Sequence, residues 1–269
     1  MNIVVLSLPR SGSSYLTKLI LNKGFKLYGE KKNVSKSKNI LNKNGYFENI
    51  KTNLLNDQVI RMYHGEKYSF LYPPSTIKNK ANKNFFYDIK DENIFIPKDY
   101  EKLKKKYCGY SWDVWGLTRM FKKNKWHKCY SKFDLESSKK IEIEKKKILT
   151  FFEKNDGFIL KDPRFALCYP FYKKIKNVKY IVLKRNKEQI LKSLRRHYGK
   201  NLFTKIYLPG SKFVSNHFNY KIKYLNYNEY FKRYQSMISR TVKNKKYIEI
   251  NINKINSKKE LSKLENFLN

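Results

Sequence analysis

Acidic residues, cysteine, glycine, proline and long apolar runs are all scarce in this chain of 269 residues. Its three cysteines, Cys108, Cys129 and Cys168, are odd in number and too far apart for paired ligands, which argues against both a zinc site and a disulfide framework. His64, His127, His197 and His217 form no ligand spacing either, so no metal is expected. No apolar run approaches the roughly 20 residues of a membrane-spanning helix, and the opening one, Ile3 to Leu6, is too short for a signal segment. A cytoplasmic protein with reduced thiols and no transmembrane segment is the expectation. The 22 acidic residues face 60 basic ones, a formal charge of +38, which would ordinarily suggest nucleic acid or another polyanion. Only nine of the basic residues are Arg; the lysines are spread over nearly every segment among abundant Asn. That pattern reads as compositional drift, and nucleic acid is not the expected partner, although the positive field raises the on-rate of any anionic ligand.

What is present is concentrated in the first twenty residues. Ile3 to Leu6 is bounded by Pro9 and Gly12 and reads as a buried strand of a parallel sheet. Tyr15, Leu16, Leu19 and Ile20 then recur at helical spacing, with Ser11, Ser13 and Ser14 as candidate caps and Gly24 as the stop. A tight Ser/Gly turn from strand to helix aims unpaired backbone N–H groups and the positive end of the helix dipole at one point, an anion site best suited to phosphate. The plainer alternative is a turn that only caps a helix. A nucleoside-triphosphate loop would need Gly-x-x-x-x-Gly-Lys-Ser/Thr. Here the cation, Arg10, precedes a single Gly, and no Lys follows it.

Two more strands carry polar residues at their carboxyl ends, the edge at which open α/β sheets bind ligands. Phe158 to Leu160 delivers Lys161-Asp-Pro-Arg164, and Val178 to Arg185 is followed by an amphipathic helix from Asn186 to His197 carrying Ser193. Because Lys fills the generic basic positions, the rare Arg residues at 10, 164 and 185 mark places that need a planar, bidentate fork. Glu48 stands in Gly45-Tyr-Phe-Glu48, just before a helix announced by Ile50, Leu54, Leu55, Val59 and Met62.

Pro-Arg10-Ser11-Gly12-Ser13-Ser14 resembles the 5′-phosphosulfate loop of sulfotransferases that use 3′-phosphoadenosine 5′-phosphosulfate (PAPS), in its bacterial and tyrosylprotein-sulfotransferase form. Arg185 with Ser193 eight residues on resembles the 3′-phosphate motif of the same enzymes, and Lys161-Asp-Pro-Arg164 and Gly-Tyr-Phe-Glu48 resemble segments of the bacterial members. The resemblance implies an α/β, P-loop-like three-layer domain with a central parallel β-sheet flanked by helices. It implies sulfuryl transfer from PAPS, a nucleotide co-substrate, to an acceptor hydroxyl of a glycan, lipid or protein. Arg10, Glu48 and Lys161 would be catalytic: Glu48 the base, Arg10 and Lys161 neutralising charge on the departing oxygen. Arg10, Ser11, Gly12, Ser13, Ser14, Arg185 and Ser193 would bind the nucleotide, gripping its two ends. Tyrosylprotein sulfotransferases place their base nearer the loop, where this chain has Glu30, so Glu30 competes with Glu48. At 251–254 the chain has Asn-Ile-Asn-Lys and departs from the family's Tyr-Glu-Asp-Leu. Two rival readings are a kinase-like P-loop phosphotransferase and a non-enzymatic polyanion or nucleic-acid binder.

The rest is organisation. One domain over residues 1–269 is expected, with a loop from 31 to 44, a loop-rich insertion from about 65 to 130, a helix over 134–155, a second aromatic and Lys-rich loop over 201–224, helices over 227–243 and 257–268, and a strand over 246–250. Trp112 and Trp115 in the insertion serve either as a stacking platform for a sugar or phenol or as core anchors.

Overall fold

The computed structural model of the chain describes residues 1–29, 34–35, 47–64, 73–76, 138–198 and 227–269. Expectations for Glu30, Trp112, Trp115 and most of the two long loops lie outside these residues.

Strand β1 (Asn2–Leu6) is wholly buried and sits at the centre of a five-stranded parallel sheet. Across the sheet the order is β2 (Lys26–Leu27), β5 (Phe158–Lys161), β1, β6 (Val178–Lys184) and β7 (Tyr247–Asn251). Every neighbouring pair is parallel, with Val5 beside Lys161 on one side and Leu6 beside Val182 on the other. A parallel strand flanked on both faces reads as a continuous apolar run, which is why Ile3 to Leu6 was legible.

Alternate residues of β1 serve two cores. Ile3 and Val5 pack with Leu16 and Ile20 of α1 (Ser13–Leu21) and with Leu264 and Phe267 of α7 (Lys258–Leu268). Val4 and Leu6 pack on the opposite side with α2 (Ile50–His64), α3 (Ser138–Lys154), α5 (Lys187–Tyr198) and α6 (Tyr227–Val242). The result is an α/β fold with helices on both faces of a central parallel sheet. A 3₁₀ turn (Phe165–Cys168) and α4 (Tyr169–Tyr172) bridge β5 to β6. Among the described residues no helix is long and apolar enough to cross a membrane.

Two local expectations are corrected. Val34–Ser35, within a segment read as loop, forms a short strand β3 that pairs antiparallel with β4 (Glu48–Asn49). None of the three serines caps α1: its N-cap is Gly12 in the left-handed conformation, with no side-chain cap. Ser11 instead folds back and donates from Oγ to the Leu8 carbonyl at 2.7 Å. α2, α3, α5, α6 and α7 fall within a few residues of the spans read from periodicity, Ser257 capping α7 by accepting from Glu260 N–H, while the 3₁₀ turn and α4 were not anticipated.

The chain leaves β1 toward β2 on one side and leaves β6 toward β7 on the other. The crevice between the carboxyl ends of β1 and β6 is therefore the topological switch point, where open α/β sheets bind ligands.

Candidate functional site

At that switch point the β1–α1 turn closes tightly. Ser11 N–H donates to the Leu8 carbonyl at 3.3 Å, and Tyr15 and Leu16 N–H both close onto the Gly12 carbonyl. Among the described residues the N–H groups of Gly12 and Ser13 enter no backbone hydrogen bond. They stand at the start of a nine-residue helix whose first turn holds no acidic residue of its own to offset the dipole's positive end. Gly12 has φ +93°, and a Cβ on it would come within 2.8 Å of Ile252 Cγ1. The segment after β7 thus roofs the turn, with Tyr15 OH donating to Asn256 Oδ1 at 3.0 Å.

Arg10 itself is left-handed, φ 65°, a strained state for a residue with a Cβ. Its Nε donates to Ser193 Oγ at 3.2 Å, and its carbonyl accepts from Arg185 Nη1 at 3.0 Å. Residues 10, 185 and 193, separated by 175 and 183 positions in sequence, therefore converge on one spot built from the ends of β1 and β6 and the face of α5. Arg185 also donates from Nε to Gln189 Oε1, a neutral acceptor; among the described residues no carboxylate pairs with it. Burial, then the neighbouring Arg10 charge, pulls the Arg185 guanidinium below its ordinary value. A cavity of about 680 Å³ opens on the α6 side of Arg185, lined by Leu8, Arg185, Ile190 and chiefly by residues of α6 and the segment leading into β7; Arg10, the residues of the turn and Ser193 do not line it. Glu48 and Lys161 do not line it.

Lys161, Glu48 and Arg164 form a second centre at the carboxyl end of β5. Asn49 caps α2 by accepting from Thr52 N–H at 2.9 Å, which fixes the segment carrying Glu48 just ahead of the helix. Phe47, before it, is left-handed at φ 50°, so the segments carrying Arg10 and Glu48 each hold a strained non-glycine residue. Lys161 Nζ donates to Glu48 Oε1 as a buried ion pair. Glu48 Oε2 accepts from Asn53 Nδ2 at 2.8 Å and lies 4.0 Å from Arg164 Nη1. Asp162 accepts from Arg164 Nη1 at 3.0 Å, from Arg164 N–H at 2.9 Å and from Asn56 Nδ2 at 2.8 Å. Asn56 Oδ1 in turn accepts from Tyr172 OH at 2.7 Å. Burial pushes the Glu48 carboxyl up; the charges of Lys161 and Arg164, with hydrogen bonds from Lys161 and Asn53, outweigh it and hold the carboxyl below its ordinary range.

The sequence-derived residues thus fall into two groups. Arg10, Ser11, Gly12, Ser13, Ser14, Arg185 and Ser193 gather at the switch point, and Glu48 and Lys161 gather at the next strand end. Arg10 and Lys161, expected to share one departing oxygen, hold different partners here, Ser193 and Glu48. Sequence reading missed Asn53, Asn56 and the roof from Ile252. The one available signal was α2's run of buried polar residues, Thr52, Asn53 and Asn56, on the same helix face as Leu55 and Val59. In comparisons with protein families, curated proteins and solved structures, the chain finds no match.

Proposed function

We propose that this chain transfers a sulfuryl group from PAPS to an acceptor hydroxyl, on a P-loop-like α/β domain. The observation that carries the reading is the convergence of Arg185 and Ser193 on Arg10 at the crevice between β1 and β6. A strand–turn–helix with free N–H groups supplies one anion cradle there. The Arg185 guanidinium and the Ser193 hydroxyl supply a second beside it, which is what a nucleoside phosphorylated at both the 5′ and 3′ positions requires. The buried thiol of Cys168, which donates to the Asn56 carbonyl at 3.4 Å, fits the cytoplasmic setting included in the proposal.

PAPS supplies an activated sulfur and a stable leaving group. The acceptor oxygen bonds to sulfur, the bond from sulfur to the 5′-phosphate oxygen breaks, and its electron pair stays on adenosine 3′,5′-bisphosphate. The acceptor's proton passes to Glu48. Gly12 and Ser13 N–H, with Ser14, hold the 5′-phosphate; Arg185 and Ser193 hold the 3′-phosphate; Arg10 and Lys161 stabilise the charge that grows on the departing oxygen. As in phosphoryl transfer, positioning and charge stabilisation carry the rate. The acceptor belongs to the class of glycan, lipid or protein hydroxyls.

A thermal-shift comparison tests the donor. At about 100-fold above its dissociation constant, adenosine 3′,5′-bisphosphate should raise Tm by roughly 5 to 10 °C, the effect of about 2.7 kcal/mol on a domain of this size. Magnesium-ATP should give no comparable shift. A shift with ATP alone would point to a phosphotransferase. No shift with either, together with nucleic-acid affinity that falls steeply with salt, would point to a polyanion binder.

A further inference from the structure

The two oxygens of the Glu48 carboxylate are held in different ways. Oε2 is anchored to groups that are themselves fixed. Asn53, which donates to it, is buried in α2, and Arg164, 4.0 Å away, is tied back to Asp162. Oε1 accepts from Lys161, the long flexible arm of the cluster. Lys161, Arg164, Glu48 and Asp162 sum to zero charge, which makes their joint burial tolerable. A permanent Glu48–Lys161 pair would conflict with the chemistry, because Lys161 covers the carboxylate oxygen that is not anchored to Asn53, and a carboxylate held below its ordinary range is a poor proton acceptor.

Resting on the function proposed above, we infer that Glu48 and Lys161 lock each other until the donor binds. The donor's negative charge then draws Lys161 from Oε1 to the phosphate oxygen that will depart, and Oε1 becomes available to the acceptor hydroxyl. One ion pair replaces another and no covalent bond changes in this step. Asn53 and Arg164 act as positioning residues, keeping Oε2 in place so that the carboxylate does not turn when Lys161 leaves. The base is silent unless donor is present, and acceptor activation is coupled to donor occupancy.

The test is calorimetric titration of adenosine 3′,5′-bisphosphate into wild type, Glu48→Gln, Lys161→Met and the double variant. Glu48→Gln is isosteric and still accepts from Asn53, but it no longer holds Lys161 by charge. It should bind the bisphosphate about tenfold more tightly, the worth of one charge-assisted hydrogen bond no longer broken on binding, while sulfuryl turnover falls. In the Lys161→Met background the same substitution should change affinity little. Relief of charge repulsion alone would tighten binding equally in both backgrounds, and that outcome overturns the lock. If wild type binds and Glu48→Gln binds equally or more weakly, the lock is wrong and the proposed function stands. If wild type does not bind the bisphosphate at all, the proposed function falls as well. Should Glu48→Gln fail to fold, Glu48→Asp, which withdraws the carboxylate from Lys161 by one methylene, should tighten binding by about threefold, and unchanged affinity there overturns the lock.

Discussion

Arg10→Ala should lower sulfuryl turnover with PAPS by on the order of 10²-fold or more, the usual loss when one preorganised charge donor is removed from a transfer site. The substitution isolates the side chain. Position 10 is left-handed, and Ala carries the same Cβ penalty as Arg, so the backbone cost is unchanged. The Arg185 bond to this residue is to its carbonyl, which Ala retains. What disappears is the guanidinium that reaches Ser193. Arg10→Lys should recover only part of the loss, because an ammonium restores charge without the planar fork. Single-turnover kinetics with labelled donor measure both variants. Normal turnover in Arg10→Ala would remove the β1–α1 turn from the chemistry.

Lys161→Ala should be the most destabilising single change at the site. Removing one member of a buried ion pair leaves the other uncompensated, at a typical cost of about 3 kcal/mol or more, hence a fall in Tm of roughly 6 to 12 °C. Arg164 stays 4.0 Å away, which places the expectation at the lower end. The pH dependence has a definite sign. Glu48 is depressed below its ordinary 4.5 in the folded chain, so the stability it contributes is present above that value and lost as pH falls through the depressed one. In Lys161→Ala burial dominates and raises Glu48, so protonation relieves the variant. The gap between the two proteins should be widest near neutrality and should narrow on acidification. Thermal unfolding from pH 7 to pH 4 gives the answer. A gap that stays constant, or widens in acid, would mean that Glu48 is not the group left exposed to burial.

The parts of this architecture that could be read from sequence are those whose signal is local. β1 and β6 hold unbroken apolar runs, Ile3 to Leu6 and Tyr180 to Leu183, because both faces of a parallel strand are covered, and α5 and α6 show helical spacing because one face is buried. Arg10, Arg185 and Ser193 were legible as separate motifs; that they meet is a consequence of strand order, which no local pattern encodes. The same limit explains what was missed. Asn53 and Asn56 look like ordinary polar residues of a helix until the fold brings Glu48 and Asp162 to them from 5 and 106 positions away. Gly12 needed no serine cap because its own left-handed turn, roofed by Ile252, sets the helix start. The strand at Val34–Ser35 is two residues long, below the length at which alternation carries a signal.

The large positive charge takes a limited part in this picture. The described ion pairs of the lysine-rich surface, such as Lys147 with Glu144 and Lys176 with Glu153, are exposed and contribute little each. The charges that matter are few and partly buried: Arg10, Lys161, Arg164 and Arg185. For the nucleotide donor proposed above, the surface field would speed arrival, an effect that salt suppresses.

The central claim is that residues from the first turn and from the β6–α5 junction grip one doubly phosphorylated nucleoside. Equilibrium titration of adenosine 3′,5′-bisphosphate against wild type and Arg185→Ala, with adenosine 5′-monophosphate alongside, tests it most directly. The account predicts that Arg185→Ala weakens the bisphosphate at least tenfold while leaving the monophosphate nearly unchanged, because only the former carries a 3′-phosphate. Equal losses for both nucleotides, or none for either, would contradict it.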